Sequence, residues 1–467
     1  MQTLSLTQSK LRQPLLVPTL FFLGLVSTAV GSLGAPLLPT IVNIDHVSLA
    51  DSQWALTISL LAGAVATPVM GRLGDGRQRK LVIIAGTFLV LLGCVCSALP
   101  AGFGLLLVGR GLQGVGLGLV PLAIATARDA LPGERSGPAI ALLGVTTAVG
   151  IGVGYPVAGA ITQYLGFSAA FWFGAIVCGL ALMLDVFVLP EGPERPSRKV
   201  DTPGAVLLGM AVTGLLLALS EGPGWGWVSI RLLAVTVGSL VLLVGWVVLE
   251  LRTPYPLVDM RQLRHRSVLA ANATILLVGI GIYPLLSLVV RFVQTPPSAG
   301  YGFGASVIVA GLMLAPFSLA SFAASKVALP VARRTSPELV VVLSCIVLLV
   351  AMGSFLIAHD TLWEILLAMG IAGFGVGCIF ASNPLQIVRG VPAQETGSAM
   401  SFYQVLRSVG FSAGSALSAT VLTVFIPSGQ VLPTAQGYNV AALVNIGILL
   451  AALALSIALA WREAKSH

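Results

Sequence analysis

The sequence predicts an all-α, polytopic membrane protein of fourteen spans, built as two related six-helix bundles with two further helices inserted. Three observations carry that expectation. The 467 residues are 57% hydrophobic and only 9% charged, whereas a soluble domain carries about 25% charged residues to cover its water-facing surface. Apolar stretches long enough to cross hydrocarbon, roughly 20 residues each, recur along the whole chain. A glycine pattern also returns: Gly150-x3-Gly154 reappears 260 positions on as Gly410-x3-Gly414, with Pro132 and Gly137 matched by Pro392 and Gly397 at the same offset. GVGLG at 114–118 is echoed by GFGVG at 373–377, one residue out of step. A parallel repeat of this kind is expected of a transporter made of two related halves.

In chain order the spans fall near 14–41, 53–74, 81–100, 103–127, 138–163, 168–189 and 204–222 in the first part. They continue near 231–249, 268–290, 304–331, 338–358, 363–386, 396–426 and 438–461. Lys10 and Arg12 precede the first of these, and residues 13–44 carry no charge, a run too long for a signal-peptide core. The fifth span holds Gly150, Gly152, Gly154, Pro156 and Gly159 with no charged residue. In a soluble helix each such glycine costs about 1 kcal/mol relative to alanine. In a membrane, small residues let backbones approach closely and proline is tolerated, so this helix is expected to pack and bend.

The repeat pairs the fourth and fifth spans with the twelfth and thirteenth, an offset of eight spans where two six-span bundles alone would give six. The seventh and eighth spans are therefore the inserted pair. The polar stretch EGPERPSRKVDTPG at 191–204 precedes them as a linker. The expected division is a first bundle over 1–190, linker and extra pair over 191–255, and a second bundle over 256–467.

Lys and Arg set the orientation. If the N-terminus is inside, the inner loops hold Arg77, Arg79, Lys80, Arg128, Arg135, Arg195, Arg198 and Lys199, then Arg252, Arg261, Arg264, Arg266, Arg333, Arg334 and Arg389. The tail adds Arg462 and Lys465, and the outer side keeps only Arg231 and Arg291. An even span count places both termini in the cytoplasm of a plasma (inner) membrane protein. Trp225, Trp227 and Trp363 near outer span ends and Trp461 near an inner end fit an aromatic belt.

The net charge of +8 is spread over these short loops, so topology accounts for it and no nucleic-acid partner is implied. The five cysteines lie in apolar segments and the four histidines lack zinc spacing, so no metal or cofactor is expected. A membrane-embedded transferase would need clustered acids or histidines at a membrane face, and the loop acids here stand singly among arginines.

Candidate chemistry begins at GRLGDGRQRK, residues 71–80. Topology alone explains Arg77, Arg79 and Lys80; it does not require Asp75 or the glycines at 71 and 74. Arg110, about two turns into the fourth span, is the foremost functional candidate, because an arginine within a span is costly unless it faces water or a partner. Snorkelling to the outer surface is the competing reading. Arg407 sits about three turns from the inner end of the thirteenth span, with Tyr403 and Gln404 on adjoining turns, and reads either as a polar cavity wall or as an inner anchor. Asp185 and Glu364 lie near span ends; either is interfacial or carries protons. Asn272 and Asn383 are candidate substrate contacts.

These motifs resemble those of the major facilitator superfamily. Gly71, Leu73, Asp75, Arg79 and Lys80 match its loop pattern G-x-L-x-D-x-x-G-R-[KR], with Gln78 standing in the usual glycine's place. Arg110, Gln113, Gly114 and Gly116 resemble its fourth-span motif. Gly150, Gly154, Pro156 and Gly159 resemble its antiporter motif, whose Gly-Pro pair is split here by Tyr155. Fourteen spans, and VDTPG at 200–204, are similar to its drug:proton antiporter branch. The resemblance implies a monomeric secondary transporter that exports small, amphipathic or drug-like compounds in exchange for protons by alternating access. An importer, or a lipid or metabolite exporter, is the alternative. Members of that branch often carry an aspartate in the first span; this chain has none there, leaving Glu364, and after it Asp185, to carry a proton.

Overall fold

The computed structural model describes residues 2–33, 37–47, 49–194, 201–427, 430 and 432–464. Among them are fourteen helices long and apolar enough to cross a membrane: Pro14–Ser32, Asp51–Leu73, Arg79–Ala98, Phe103–Ala130, Gly133–Leu165, Phe167–Val188 and Thr202–Gly222, then Ile230–Arg252, Arg266–Gln294, Val307–Arg334, Pro337–Ile357, Leu362–Gly390, Ala393–Val424 and Ala435–Trp461. They are numbered here as spans one to fourteen. Arg195, Arg198, Lys199 and the C-terminal Lys465 lie outside the described residues.

Three spans depart from the single uninterrupted helices expected. The first span closes at Ser32 rather than 41, and a separate short helix, Leu38–Asp45, carries Pro39 in its first turn, where a missing N–H costs nothing. The fourth span tightens into a 3-10 stretch over Val115–Gly118. The fifth is made of two helices, Gly133–Gly144 and Thr146–Leu165. Its interruption falls at Val145; Pro156 lies inside the second helix.

The repeated glycines explain how each bundle closes. A Cβ on Gly150 would lie 2.7 Å from Thr28 Cβ and one on Gly154 2.3 Å from Ser32 Oγ, so the fifth span presses its backbone on the first. In the second bundle a Cβ on Gly410 would lie 2.6 Å from the Leu276 carbonyl oxygen and one on Gly414 2.4 Å from that of Ile280, so the thirteenth span presses on the ninth in the same way. Apolar side chains gain little by leaving lipid for a helix interface, so close backbone packing does the work of association.

The inserted pair lies across one seam between the bundles, against the second and thirteenth spans. Leu208, Val212, Leu216 and Trp246 form a buried cluster with Ala64 and Val405, Trp246 stacks on Phe402 with ring centroids 6.0 Å apart, and Thr57 and Ser220 hydroxyls lie 2.9 Å apart. Asp201 caps the seventh span by accepting from the Gly204 N–H at 3.1 Å.

Candidate functional site

The loop after the second span builds a latch between the bundles. Asp75 is 5% exposed. Its Oδ1 accepts the Gly397 N–H at 2.7 Å and its Oδ2 the Ser398 N–H at 3.2 Å. Both donors belong to the first turn of the helix Thr396–Val424, where N–H groups have no intrahelical partner and the helix dipole favours negative charge. The contact requires two glycines. A Cβ on Gly71 would lie 2.7 Å from the Gly397 carbonyl oxygen, and one on Gly397 would lie 2.7 Å from that of Gly71.

Arg79 braces the loop from behind. Its Nε donates to the Gly74 carbonyl at 2.6 Å, and its Nη1 to Asp129 Oδ2 at 2.8 Å and the Ala125 carbonyl at 3.0 Å. Lys80 pairs with the exposed Glu191 at 3.3 Å, and Leu73 is half-buried at the end of its helix. Arg128 crosses to the other bundle: its Nη1 donates to Thr396 Oγ1 at 2.6 Å and its Nη2 to the Val391 carbonyl at 3.0 Å. Sequence reasoning assigned Arg128 to loop charge, passed over Asp129 and read Gly397 only as part of the repeat; the adjacent Arg-Asp pair closing the fourth span was the available cue. Burial pushes the Asp75 carboxyl up to about 6, against the lowering effect of the Ser398 and Gly397 hydrogen bonds and of Arg79.

Arg110 does not snorkel. It is 1% exposed and donates through Nε to the Ala55 carbonyl at 3.0 Å, through Nη2 to the Gly31 carbonyl at 3.0 Å, and through Nη1 to Gln113 Oε1 at 2.5 Å and the Val30 carbonyl at 3.4 Å. Gln113 Nε2 in turn donates to Ser97 Oγ at 3.2 Å. The pair therefore ties the fourth span to the first, second and third through neutral acceptors.

Midway between the bundles lies a small central cavity of about 10 Å³, bordered by Pro121, Gly144, Met400, Tyr403, Gln404 and Arg407. That is room for about one water. Arg407 is a wall of this cavity and not an end anchor: it is 3% exposed, its Nη2 donates to Thr147 Oγ1 at 2.7 Å and to Gln404 Oε1, and its guanidinium carbon lies 4.9 Å from the Phe380 ring centroid. Thr147 comes from the other bundle, so Arg407 bridges the two.

The fifth span closes this region. A Cβ on Gly144 would lie 1.9 Å from the Phe380 carbonyl oxygen, and one on Gly152 1.7 Å from Ser318 Oγ, whose hydroxyl donates to the Ala148 carbonyl at 2.8 Å. Toward the other end a Cβ on Gly311 would lie 3.1 Å from Pro156 Cα. With the latch engaged at the basic end, the bundles touch along this seam from Asp75 to Pro156. Gly159 differs from its companions: a Cβ there would meet nothing nearer than 3.6 Å, so packing does not demand glycine at that position.

The remaining candidates separate. Glu364 sits in a capping box at the start of the twelfth span, where its Oε2 accepts the Thr361 N–H at 3.0 Å. It stands at a span mouth and does not line the cavity. The cue Thr361-x-x-Glu364 was present in the sequence. Asp185 is fully buried between the third and sixth spans; its Oδ2 accepts from Thr87 Oγ1 at 2.8 Å and its Oδ1 makes no hydrogen bond. Asn272 Nδ2 donates to the Val268 carbonyl of its own helix at 2.8 Å, and Asn383 Nδ2 to the Ala271 carbonyl of the ninth span at 3.2 Å.

Comparison with known proteins places this geometry. A family model described as Major Facilitator Superfamily matches residues 20–415. The multidrug resistance protein Stp of Mycobacterium tuberculosis is 26% identical over 392 residues, covering 83% of this chain and 72% of that protein. Multidrug resistance protein 3 of Bacillus subtilis is 24% identical over 407 residues, 85% of this chain and 76% of its own length. The tetracenomycin C resistance and export protein of Streptomyces glaucescens is 28% identical over 433 residues, 88% and 77% respectively. Among solved structures, the human organic anion transporter MFSD10 superposes with a TM-score of 0.67 over 94% of this chain and 98% of its own, at 17% identity, a likeness of fold alone.

Proposed function

The chain belongs to the major facilitator superfamily, and from that premise we propose that it is a secondary active exporter of small amphipathic compounds that works by alternating access. The observation that carries this reading is the pairing of a closed polar cavity, walled by Arg407, Gln404 and Tyr403, with a latch made of breakable contacts. Asp75 holds the far bundle by two hydrogen bonds to backbone N–H groups and Arg128 by three contacts. No part of that seal is covalent, so it can part once per cycle and reform. The relatives named for multidrug resistance and for tetracenomycin C export support export as the direction. On this reading the basic end is cytoplasmic, the three-part division at 190 and 255 describes the mechanical units, and the working form is a monomer in the plasma membrane.

Proton exchange belongs to the same proposal. With Glu364 engaged in its capping box, the carrier is Asp185, a buried carboxyl with one oxygen unused. A group of this kind can exchange its proton with solvent when an opening lets water reach it. Protein reconstituted in liposomes with an internal pH dye, challenged with aromatic amphiphiles, tests the reading. Substrate movement accompanied by opposite proton movement supports it. Wild-type protein that moves substrate with no pH signal refutes the exchange. Glu364→Gln should keep the signal and Asp185→Asn should lose it while downhill substrate movement survives; the reverse pattern returns the role to Glu364.

A further inference from the structure

The central cavity has one charged wall and no opposing charge. Arg407 is its only charged lining residue among the described residues. Every partner of its guanidinium is neutral: the Thr147 hydroxyl, the Gln404 side-chain carbonyl and the Phe380 ring. Both hydrogen bonds use Nη2, and Nε and Nη1 donate to nothing among the described residues. The Tyr403 hydroxyl lies near Asn383 yet makes no hydrogen bond, although the residue is only 2% exposed. A buried arginine with spare donors and no carboxylate is an unbalanced charge, and removing a cation from water without a counter-ion is strongly unfavourable. Arg110 has solved the same problem differently, with backbone carbonyls on its Nε and Nη2 and two acceptors on its Nη1. Arg407 retains donors for a visitor.

We infer that the compound bound in this cavity is an organic anion, whose carboxylate, sulfonate or phosphate pairs with Arg407 and accepts from Tyr403. The apolar body of the anion lies against Pro121 and Met400. A cationic amphiphile meets only repulsion there, and a neutral one leaves the guanidinium unpaired. Planar guanidinium donors suit such oxyanions by geometry as well as charge. The cavity of about 10 Å³ must widen to admit the ligand, as the alternating-access reading requires, and the inference rests on that reading for calling the ligand a substrate.

Binding can be measured apart from transport. Purified protein in lipid nanodiscs would be titrated calorimetrically with three matched compounds: 2-naphthoate, 2-naphthamide and 2-naphthylmethylammonium. Naphthoate should bind at least about tenfold more tightly than the ammonium, as expected for a charge-assisted contact. Arg407→Gln should erase that preference, and Arg407→Lys should keep part of it. Equal binding of all three compounds by wild type, preference for the ammonium, or no binding of naphthoate overturns the inference, as does an unchanged preference in Arg407→Gln. If Arg407→Gln does not fold, the wild-type comparison with the lysine variant decides. Export lost in liposomes with the naphthoate preference intact refutes only the exporter reading. Export proceeding with no charge preference refutes only the anion site.

Discussion

Asp75 accepts two backbone N–H groups from the opposite bundle, yet burial lifts its carboxyl from 3.8 to about 6. A carboxyl that titrates near 6 when latched, and nearer 3.8 once water reaches it, binds its proton more tightly in the latched state. Protonation therefore favours the latch: it tightens as pH falls from about 6 towards 4 and is weakest above 6, where the group is charged in both states. Spin-label distances across the basic end should report more of the closed population over that interval. Asp75→Asn should abolish this pH dependence and slow turnover about tenfold, because an amide can satisfy the Gly397 N–H but meets the Ser398 N–H with a donor of its own; normal rates at equal expression would remove Asp75 from the mechanism. Arg110 makes the opposite kind of prediction. Lysine keeps the charge but cannot reach acceptors on the first and second spans and Gln113 together, so Arg110→Lys should abolish transport and lower stability by about 3 kcal/mol, read as thermal unfolding in detergent. Full activity in the lysine variant would mean that charge alone suffices.

At the scale of the helix, the fifth span serves two partners. Gly150 and Gly154 seat it within its own bundle on the first span, while Gly144 and Gly152 set its distance from the twelfth and tenth spans of the other bundle. Gly144→Ala places a methyl against the Phe380 backbone, which cannot swing aside, so the state in which the bundles touch should lose about 1–3 kcal/mol and transport should fall in proportion. Gly159→Ala should transport normally, and a liposome assay of the two variants at equal expression checks both. The sequence made part of this legible. Periodic glycines in an uncharged span announced close packing, and the 260-residue repeat announced that the thirteenth span would copy the fifth. What it could not show was which glycine faces which neighbour, because that depends on helix rotation. The same limit hid the latch: Asp75 and Arg79 stood out in their loop, but Gly397 and Arg128 become meaningful only when folding brings residues more than 260 positions apart into contact. Glu364 carried a local cue as well, since a carboxylate in a first helical turn has a capping task that competes with any other.

Taken whole, the molecule is two six-helix bundles touching along a glycine-lined seam, with the inserted pair packed across the other side. Fold and family follow from composition, span count and motifs. The cavity's character does not, because Arg407 draws its partners from the twelfth and thirteenth spans and, through Thr147, from the other bundle. In the proposed cycle the Asp75 latch opens and closes once per turnover. That cycle is tested most directly by spin labels at Arg77→Cys and Gln394→Cys, exposed positions on the two sides of the latch, in protein whose five native cysteines are replaced and whose transport is retained. The account predicts a short distance population matching the latched state and a longer one, with Asp75→Asn and added 2-naphthoate each changing their ratio. One short distance, unmoved by the variant, by pH or by the ligand while transport proceeds, would contradict it.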